Sequence, residues 1–194
     1  PPRASRARAA AFLEEQRQWI RSQAALRLPA TVPFAAGAIL PFGDGRLTLA
    51  PGHGRTARRD GDTLFVPGDT ALFEARVRRW LKAEALARFE PDTRALAERL
   101  GHPLRSVDVG DFRSRWGSCG QGPGGARIAY SWRLILAPTH VQRAVIAHEV
   151  AHLAEPNHGS RFWALATDLL GEDHGPAREW LRRNGPALHG IGAR

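Results

Sequence analysis

Two histidines four residues apart enclose a glutamate in the segment His148-Glu149-Val150-Ala151-His152. On a helix, this spacing places both imidazoles on one face, one turn apart, where they can bind a single metal ion. Glu149 follows the first histidine directly, so it would lie beside the metal and could accept a proton from a metal-bound water. Imidazole nitrogens suit zinc, so the pattern predicts a zinc site with hydrolytic chemistry.

A catalytic zinc site needs a third protein ligand and leaves one position for water. His158 lies six residues after the second histidine and just beyond Pro156. Proline disfavours helical geometry in the residue before it, so the helix should end near Glu155 and the chain should turn back. We therefore predict His158 as the third ligand. The alternative is a glutamate from a later helix, Glu172 or Glu179.

Other side chains are candidates for supporting roles at this site. The negative charge that develops on a substrate oxygen needs a donor besides the metal, and Arg115, Tyr130 and His140 are the candidates. Cys119, the single cysteine, could be a fourth ligand that closes the site. We favour a buried structural role for it, because such cysteines are common and inert.

The motif should lie on a central helix. Thr139 and Gln142 have the spacing of a capping box, which predicts that the helix begins there. Apolar residues follow on two faces as far as Leu153. A helix that is apolar on two faces is expected in the core of the domain.

The remaining chain alternates short strands and helices, which indicates an α+β fold. Residues 4–28 have amphipathic spacing. We predict an N-terminal helical arm over residues 1–30 and a single domain over residues 31–194. Strands are expected between residues 38 and 66, and a helix from about residue 70 should break at Pro91 and be followed by a second helix.

Strands at residues 106–112 and 127–132 are predicted to form a hairpin beside the metal helix, where an exposed sheet edge can hold an extended peptide. The glycine-rich residues 120–125 should connect them. Helices are expected at residues 160–170 and 176–183. His174 and His189, which flank the last helix, are predicted to lie at the surface.

Four segments together resemble the YgjP/SprT-like zinc metallopeptidase family of predicted metal-dependent hydrolases. In order, they are Arg115-Trp116-Gly117-Ser118-Cys119, Arg133-Leu134-Ile135-Leu136-Ala137-Pro138, His148-Glu149-Val150-Ala151-His152-Leu153 and Asn157-His158-Gly159-Ser160-Arg161-Phe162-Trp163.

The resemblance implies a zincin-like (minigluzincin-type) α+β domain with a small antiparallel sheet and a central metal-binding helix. It also implies His148, His152 and His158 as zinc ligands and Glu149 as general base. One departure is Gly159, inserted between the third histidine and the serine that follows it in the family, which could shift this loop.

Composition limits the other classes of function. The net charge of +9 makes a nucleic acid or nucleotide possible as a partner, besides the peptide or protein substrate that a peptidase needs. No segment has the length and apolarity of a membrane span, so no membrane partner is expected. The arginine-rich N-terminus does not resemble a signal peptide, and one cysteine allows no internal disulfide, so a cytoplasmic location is expected.

Two other functions are compatible with the same residues. The first is a metal-dependent phosphohydrolase acting on nucleotides, in which arginines would bind phosphate oxygens. However, the chain lacks the carboxylate cluster that usually holds catalytic magnesium. The second is a non-enzymatic binding module in which zinc only braces the fold, which requires a closed set of four protein ligands.

Overall fold

A computed structural model describes residues 31–192, together with Glu14 and Arg17. The remainder of the predicted N-terminal arm lies outside the described residues. The described chain has a mixed α/β fold with two small sheets. Its strands are β1 (Ile39–Phe42), β2 (Gly45–Gly52), β3 (Arg58–Asp60), β4 (Thr63–Pro67), β5 (Leu104–Gly110), β6 (Gly117–Gly120) and β7 (Ala126–Ser131).

The helices, in chain order, are α1 (Thr70–Arg99), a 3-10 helix (Trp132–Leu136), α2 (Thr139–Ala151), α3 (Ser160–Leu170) and α4 (Gly175–Gly190). None of the described helices is long and apolar enough to cross a membrane.

The first sheet has the strand order β1-β2-β4-β3. Strands β2 and β4 are parallel, whereas the other two pairs are antiparallel. Alternate residues of the central strands, Leu47, Leu49, Leu64 and Val66, are fully buried. Since side chains alternate between the two faces of a strand, one face of this sheet packs into the core.

The second sheet, with the order β5-β7-β6, differs from the predicted hairpin. β5 and β7 are parallel, and the antiparallel partner of β7 is β6, which forms the exposed edge. The prediction of a purely antiparallel sheet is therefore wrong. β7 is almost wholly buried and is paired on both sides, with β5 on one and the Gly-Ser-Cys-Gly segment of β6 on the other.

Helix α1 continues through Pro91, so the predicted break is wrong. Pro91 is exposed. Two residues later, the hydroxyl of Thr93 donates a hydrogen bond to the Phe89 carbonyl at 2.6 Å. At its start, the helix is capped by Asp69, whose carboxylate accepts a hydrogen bond from the Leu72 amide at 3.0 Å.

Helix α2 begins where predicted, but its cap comes from elsewhere in the chain. The Thr139 amide donates to Asp44 Oδ1 at 2.9 Å, from the β1–β2 turn. Gln142 is buried and donates instead to the carbonyls of Ile135 and Ala137, so the predicted capping box does not form. The helix is almost entirely buried, as its two apolar faces predicted.

The last two helices flank α2 and complete the core. α3 has the predicted bounds, with Phe162, Ala166 and Leu169 buried. α4 is longer than predicted and runs on through Pro186 to Gly190. The proline at its start, Pro176, is tolerated because first-turn amides have no partner within a helix.

Candidate metal centre

The three histidines of the motif converge at the end of α2. His148 lies in its last turn and His152 forms its C-cap. The nitrogen atoms that His148, His152 and His158 can offer a metal all lie within 4.8 Å of one another. The two Nε2 atoms of His148 and His158 are 3.0 Å apart.

The turn after α2 brings His158 to this position. The Glu155 amide donates to the Ala151 carbonyl at 2.9 Å, which closes a turn after the end of α2 and just before Pro156. α3 then begins at Ser160, and its buried Phe162 packs against all three imidazoles, with ring centroids 4.6–4.8 Å apart. Phe162 thus forms an apolar platform that holds the three rings together.

Two features of the imidazoles suit metal binding. His152 Nδ1 lies 3.2 Å from the Glu155 carbonyl, which can only accept a hydrogen bond. The proton is therefore on Nδ1, and the lone pair of Nε2 is free for a metal. Burial, together with the two neighbouring histidines, lowers the pKa of His148 to about 4, so that this ring is neutral near pH 7. Burial also lowers the pKa of His152.

Glu149 is buried beside the histidines. Its side chain packs against Gly117 of β6, where an added Cβ would lie 2.5 Å from Glu149 Cγ. Burial raises the pKa of Glu149 to about 7, and the positive charge of Arg115 partly opposes this shift. No spacing in the sequence signals this contact of Gly117. The pairing of β6 with β7 places it against α2.

Two cavities meet at these residues. The first, which we call the apolar pocket, has a volume of about 280 Å³ and is lined mainly by α2, α3, α4 and the segment before β6. The second, which we call the edge cleft, has a volume of about 440 Å³ and follows β6 and the turn after α2. Gly117, His148 and Glu149 line both cavities. A substrate that extends from one cavity to the other must therefore pass the candidate centre.

A family model described as a YgjP-like metallopeptidase domain matches residues 1–184 of the 194. The chain belongs to the YgjP-like metallopeptidase family. Membership supports a metal-dependent hydrolase and suggests a protein or peptide substrate. It does not support the nucleic-acid partner that the basic charge allowed. The comparisons with curated proteins and with solved structures give no match.

Other candidate ligands of this YgjP-like domain lie outside the histidine cluster. Glu172 faces Arg143 at 3.9 Å, and Glu179 forms ion pairs with Arg182 and Arg183. Cys119 lines the edge cleft but does not belong to the cluster of ligand atoms found among the described residues. Burial, followed by the charge of Glu149, raises the pKa of its thiol to about 11, so it remains protonated.

Only one of the three predicted oxyanion donors lines either cavity. Arg115 borders the apolar pocket. Tyr130 is fully buried, with its hydroxyl 3.0 Å from Thr93 Oγ1. His140 is exposed in the first turn of α2, at the opposite end from the candidate centre.

His174 and His189 are not at the surface as predicted. His174 is only 4% exposed and lines the apolar pocket, and its Nε2 has no hydrogen-bond partner among the described residues. His189 is half-buried and stacks on Trp116 at 4.7 Å. No spacing in the sequence signals their burial, which results from the packing of α4 against α2 and the 3-10 helix.

Proposed function

We propose that this protein is a zinc-dependent peptidase in which His148, His152 and His158 bind the metal and Glu149 is the general base. The convergence of the three imidazoles carries the proposal, since their nitrogens lie within 4.8 Å of one another. Three imidazole nitrogen donors suit zinc, whereas magnesium and calcium prefer oxygen ligands. The family membership independently supports hydrolysis by a metal-dependent enzyme.

A zinc ion bound by these histidines would supply a Lewis acid and a water of lowered pKa. The chain supplies the proton transfers. The Glu149 carboxylate follows a ligand histidine directly and reaches both cavities, so its oxygens can accept a proton from the attacking water. The same oxygens can then return that proton to the nitrogen of the leaving amine.

Strand β6 provides a way to hold an extended peptide. It pairs with β7 on one side, and no described strand pairs with its other side. A peptide that adds to this free edge would gain backbone hydrogen bonds and would lie along the edge cleft. Its course would carry it past Gly117 and Glu149 toward the apolar pocket.

The two alternative functions predict different results. A phosphohydrolase would release phosphate or pyrophosphate from nucleotides. A zinc-braced module would bind metal and cleave nothing. The metallopeptidase family membership favours neither alternative.

The experiment combines metal analysis with a substrate panel of peptides and nucleoside triphosphates. We expect about one zinc per chain and peptide cleavage that a chelator abolishes and added zinc restores. Glu149→Gln should retain zinc and lose roughly 10²–10⁴-fold in rate, the contribution typical of a general base. Glu172→Gln is the matched control and should behave as wild type. Wild-type rates in Glu149→Gln, or pyrophosphate release without peptide cleavage, would refute the proposal.

A further inference from the structure

The apolar pocket has a composition that specifies what it can bind. Apolar side chains form most of its wall: Trp116, Ala144, Val145, Trp163, Ala177 and Leu181. Its volume of about 280 Å³ is just below the range of small-molecule sites, roughly 300–1,000 Å³. The pocket is therefore suited to one residue of a substrate.

Two arginines also line this pocket, and both are exposed. The Arg178 guanidinium lies over the Trp163 ring, 4.7 Å from its centroid, and Arg115 lies over the Phe112 ring at 4.6 Å. No ion pair joins either arginine to a carboxylate in the part of the chain that the structure describes. The acidic neighbour of Arg178 in sequence, Glu179, is paired with Arg182 and Arg183.

This charge pattern indicates an anionic ligand. Among the residues that the structure describes, Glu149 is the only carboxylate that lines the pocket, and its proposed role is proton transfer. Stacking on an aromatic ring orients a guanidinium while leaving its N–H groups free to bind a carboxylate through two hydrogen bonds. An apolar wall with two such cations fits an apolar side chain that has a carboxylate close to it.

We propose that the apolar pocket binds the C-terminal residue of a peptide, with an apolar side chain against Trp116 and Trp163 and its carboxylate at Arg115 and Arg178. This rests on the proposed peptidase function. The bond cleaved is then the amide C–N bond before the last residue. Water adds its hydroxyl to the acyl carbon, and its proton goes to the leaving amine nitrogen. An acidic side chain next to an apolar residue offers the same chemistry, and the experiment distinguishes these two sources.

The test uses three acetylated peptides on the zinc-loaded protein. One ends in phenylalanine with a free carboxylate, the second is its C-terminal amide, and the third is an amide with aspartate beside the phenylalanine. We expect the free acid to be cleaved at its last bond with a kcat/KM at least about tenfold above that of the amide, since hydrogen bonds to charged groups typically contribute that much or more. A preference for the aspartate peptide would show that the pocket binds a side-chain carboxylate and would overturn its assignment to the C-terminal residue.

Variants test the two arginines directly. Arg178→Gln should reduce the ratio of acid to amide cleavage to about one, mainly through KM, and Arg115→Gln should do the same. Arg55→Gln, which removes an exposed charge from the loop between β2 and β3, should leave the ratio unchanged. Equal cleavage of the acid and the amide by the wild-type protein would overturn the assignment of the pocket and leave the peptidase function intact.

A binding measurement separates failure of the pocket from failure of the peptidase function. Trp116 and Trp163 line the pocket, so their fluorescence should report ligands there. In zinc-free protein, where a carboxylate cannot bind the metal, N-acetylphenylalanine should bind at least about tenfold more tightly than its amide, and Arg178→Gln should abolish the difference. If no peptide is cleaved but this preference persists, the peptidase function fails and the pocket stands. If the acid and the amide bind equally tightly, the pocket does not bind a C-terminal carboxylate.

Discussion

The side chain of Glu149 occupies the space that any side chain on Gly117 would need. A Cβ at Gly117 would lie 2.5 Å from Glu149 Cγ and 2.6 Å from Oε1, closer than real Cβ atoms approach other atoms. Gly117 does not have a positive φ, so its backbone conformation is open to other residues. The glycine is required for space alone, and the edge strand thereby positions the carboxylate.

Gly117→Ala should therefore displace Glu149 without removing any functional group. A misplacement of about 1 Å can cost roughly 10²-fold in rate, so we expect a loss of that order in peptide hydrolysis with zinc content unchanged. Kinetics and metal analysis measure the two quantities. The matched control is Gly120→Ala at the other end of β6, where an added Cβ meets nothing within 4 Å. Full activity of Gly117→Ala would show that the position of Glu149 is not critical.

His158→Ala tests the third ligand. We expect zinc affinity to fall by more than the roughly 10–100-fold that follows loss of a residue that only hydrogen-bonds to a metal ligand. Because His158 is exposed, the metal-free protein should keep its thermal stability. Titration with a competing chelator measures the affinity. His140→Ala, an exposed histidine at the opposite end of α2, should bind zinc as wild type does. An unchanged zinc affinity in His158→Ala would mean that another residue is the third zinc ligand.

The sequence predicted those parts of the site that depend on local spacing. The α2 and α3 helices and the clustering of the three histidines follow from helical periodicity and from the stop at Pro156. Strand β6 could not be predicted, because its Gly-Ser-Cys-Gly composition is typical of a connection. It forms a strand by pairing with β7, whose other side pairs with β5.

Long-range contacts explain the other differences. The Thr139 cap comes from Asp44, 95 residues earlier in the chain, so no local pattern signals it. The burial of His174 depends on how α4 packs, which periodicity cannot specify. A proline at position 91 predicts a helix break, yet Pro91, which is exposed, is accommodated inside α1.

The pair of Asp111 and Arg133 should be important for stability. Arg133 is fully buried, and its Nη1 donates to Asp111 Oδ1. Asp111→Asn would leave a buried guanidinium without a counter-charge, which costs about 3–5 kcal/mol for a fully buried pair. Because Asp111 is about one-third exposed, we expect a smaller loss of about 2–4 kcal/mol in the free energy of unfolding. Denaturant unfolding measures it.

Asp108→Asn is the matched control, since Asp108 pairs with Arg127 in a solvent-exposed ion pair. We expect a change below about 1 kcal/mol there. If both variants lose the same stability, then the burial of Arg133 has no energetic consequence.

Acid should weaken the same pair. Burial by itself would raise the pKa of Asp111, but the hydrogen bond and charge of Arg133, together with Trp132 and the charge of Arg78, more than offset this and hold it below the ordinary value. A depressed pKa contributes stability above the unfolded-state pKa of about 3.9, and that contribution is lost as pH falls through the folded-state pKa. The stability of Asp111→Asn should therefore depend less on pH below about 4 than that of the wild type. Parallel pH profiles of the two proteins would contradict this.

His174→Phe should separate stability from activity. His174 is buried with an unpartnered Nε2, and an unsatisfied buried polar group costs about 1–3 kcal/mol. Phenylalanine keeps a planar ring near Trp163, so we expect Tm to rise by about 2–4 °C per kcal/mol regained. Because His174 lines the apolar pocket, we also expect kcat/KM for peptides to fall.

His189→Phe is the control for this variant. Its Nδ1 is also buried without a hydrogen-bond partner among residues 31–192, but His189 does not line the apolar pocket or the edge cleft. The substitution keeps an aromatic ring stacked on Trp116, so stability should rise while peptide cleavage stays at the wild-type rate. A lower Tm in His174→Phe would mean that its ring nitrogen has a partner, such as a buried water. A higher Tm with unchanged kcat/KM would mean that the polar atom has no role in binding or catalysis.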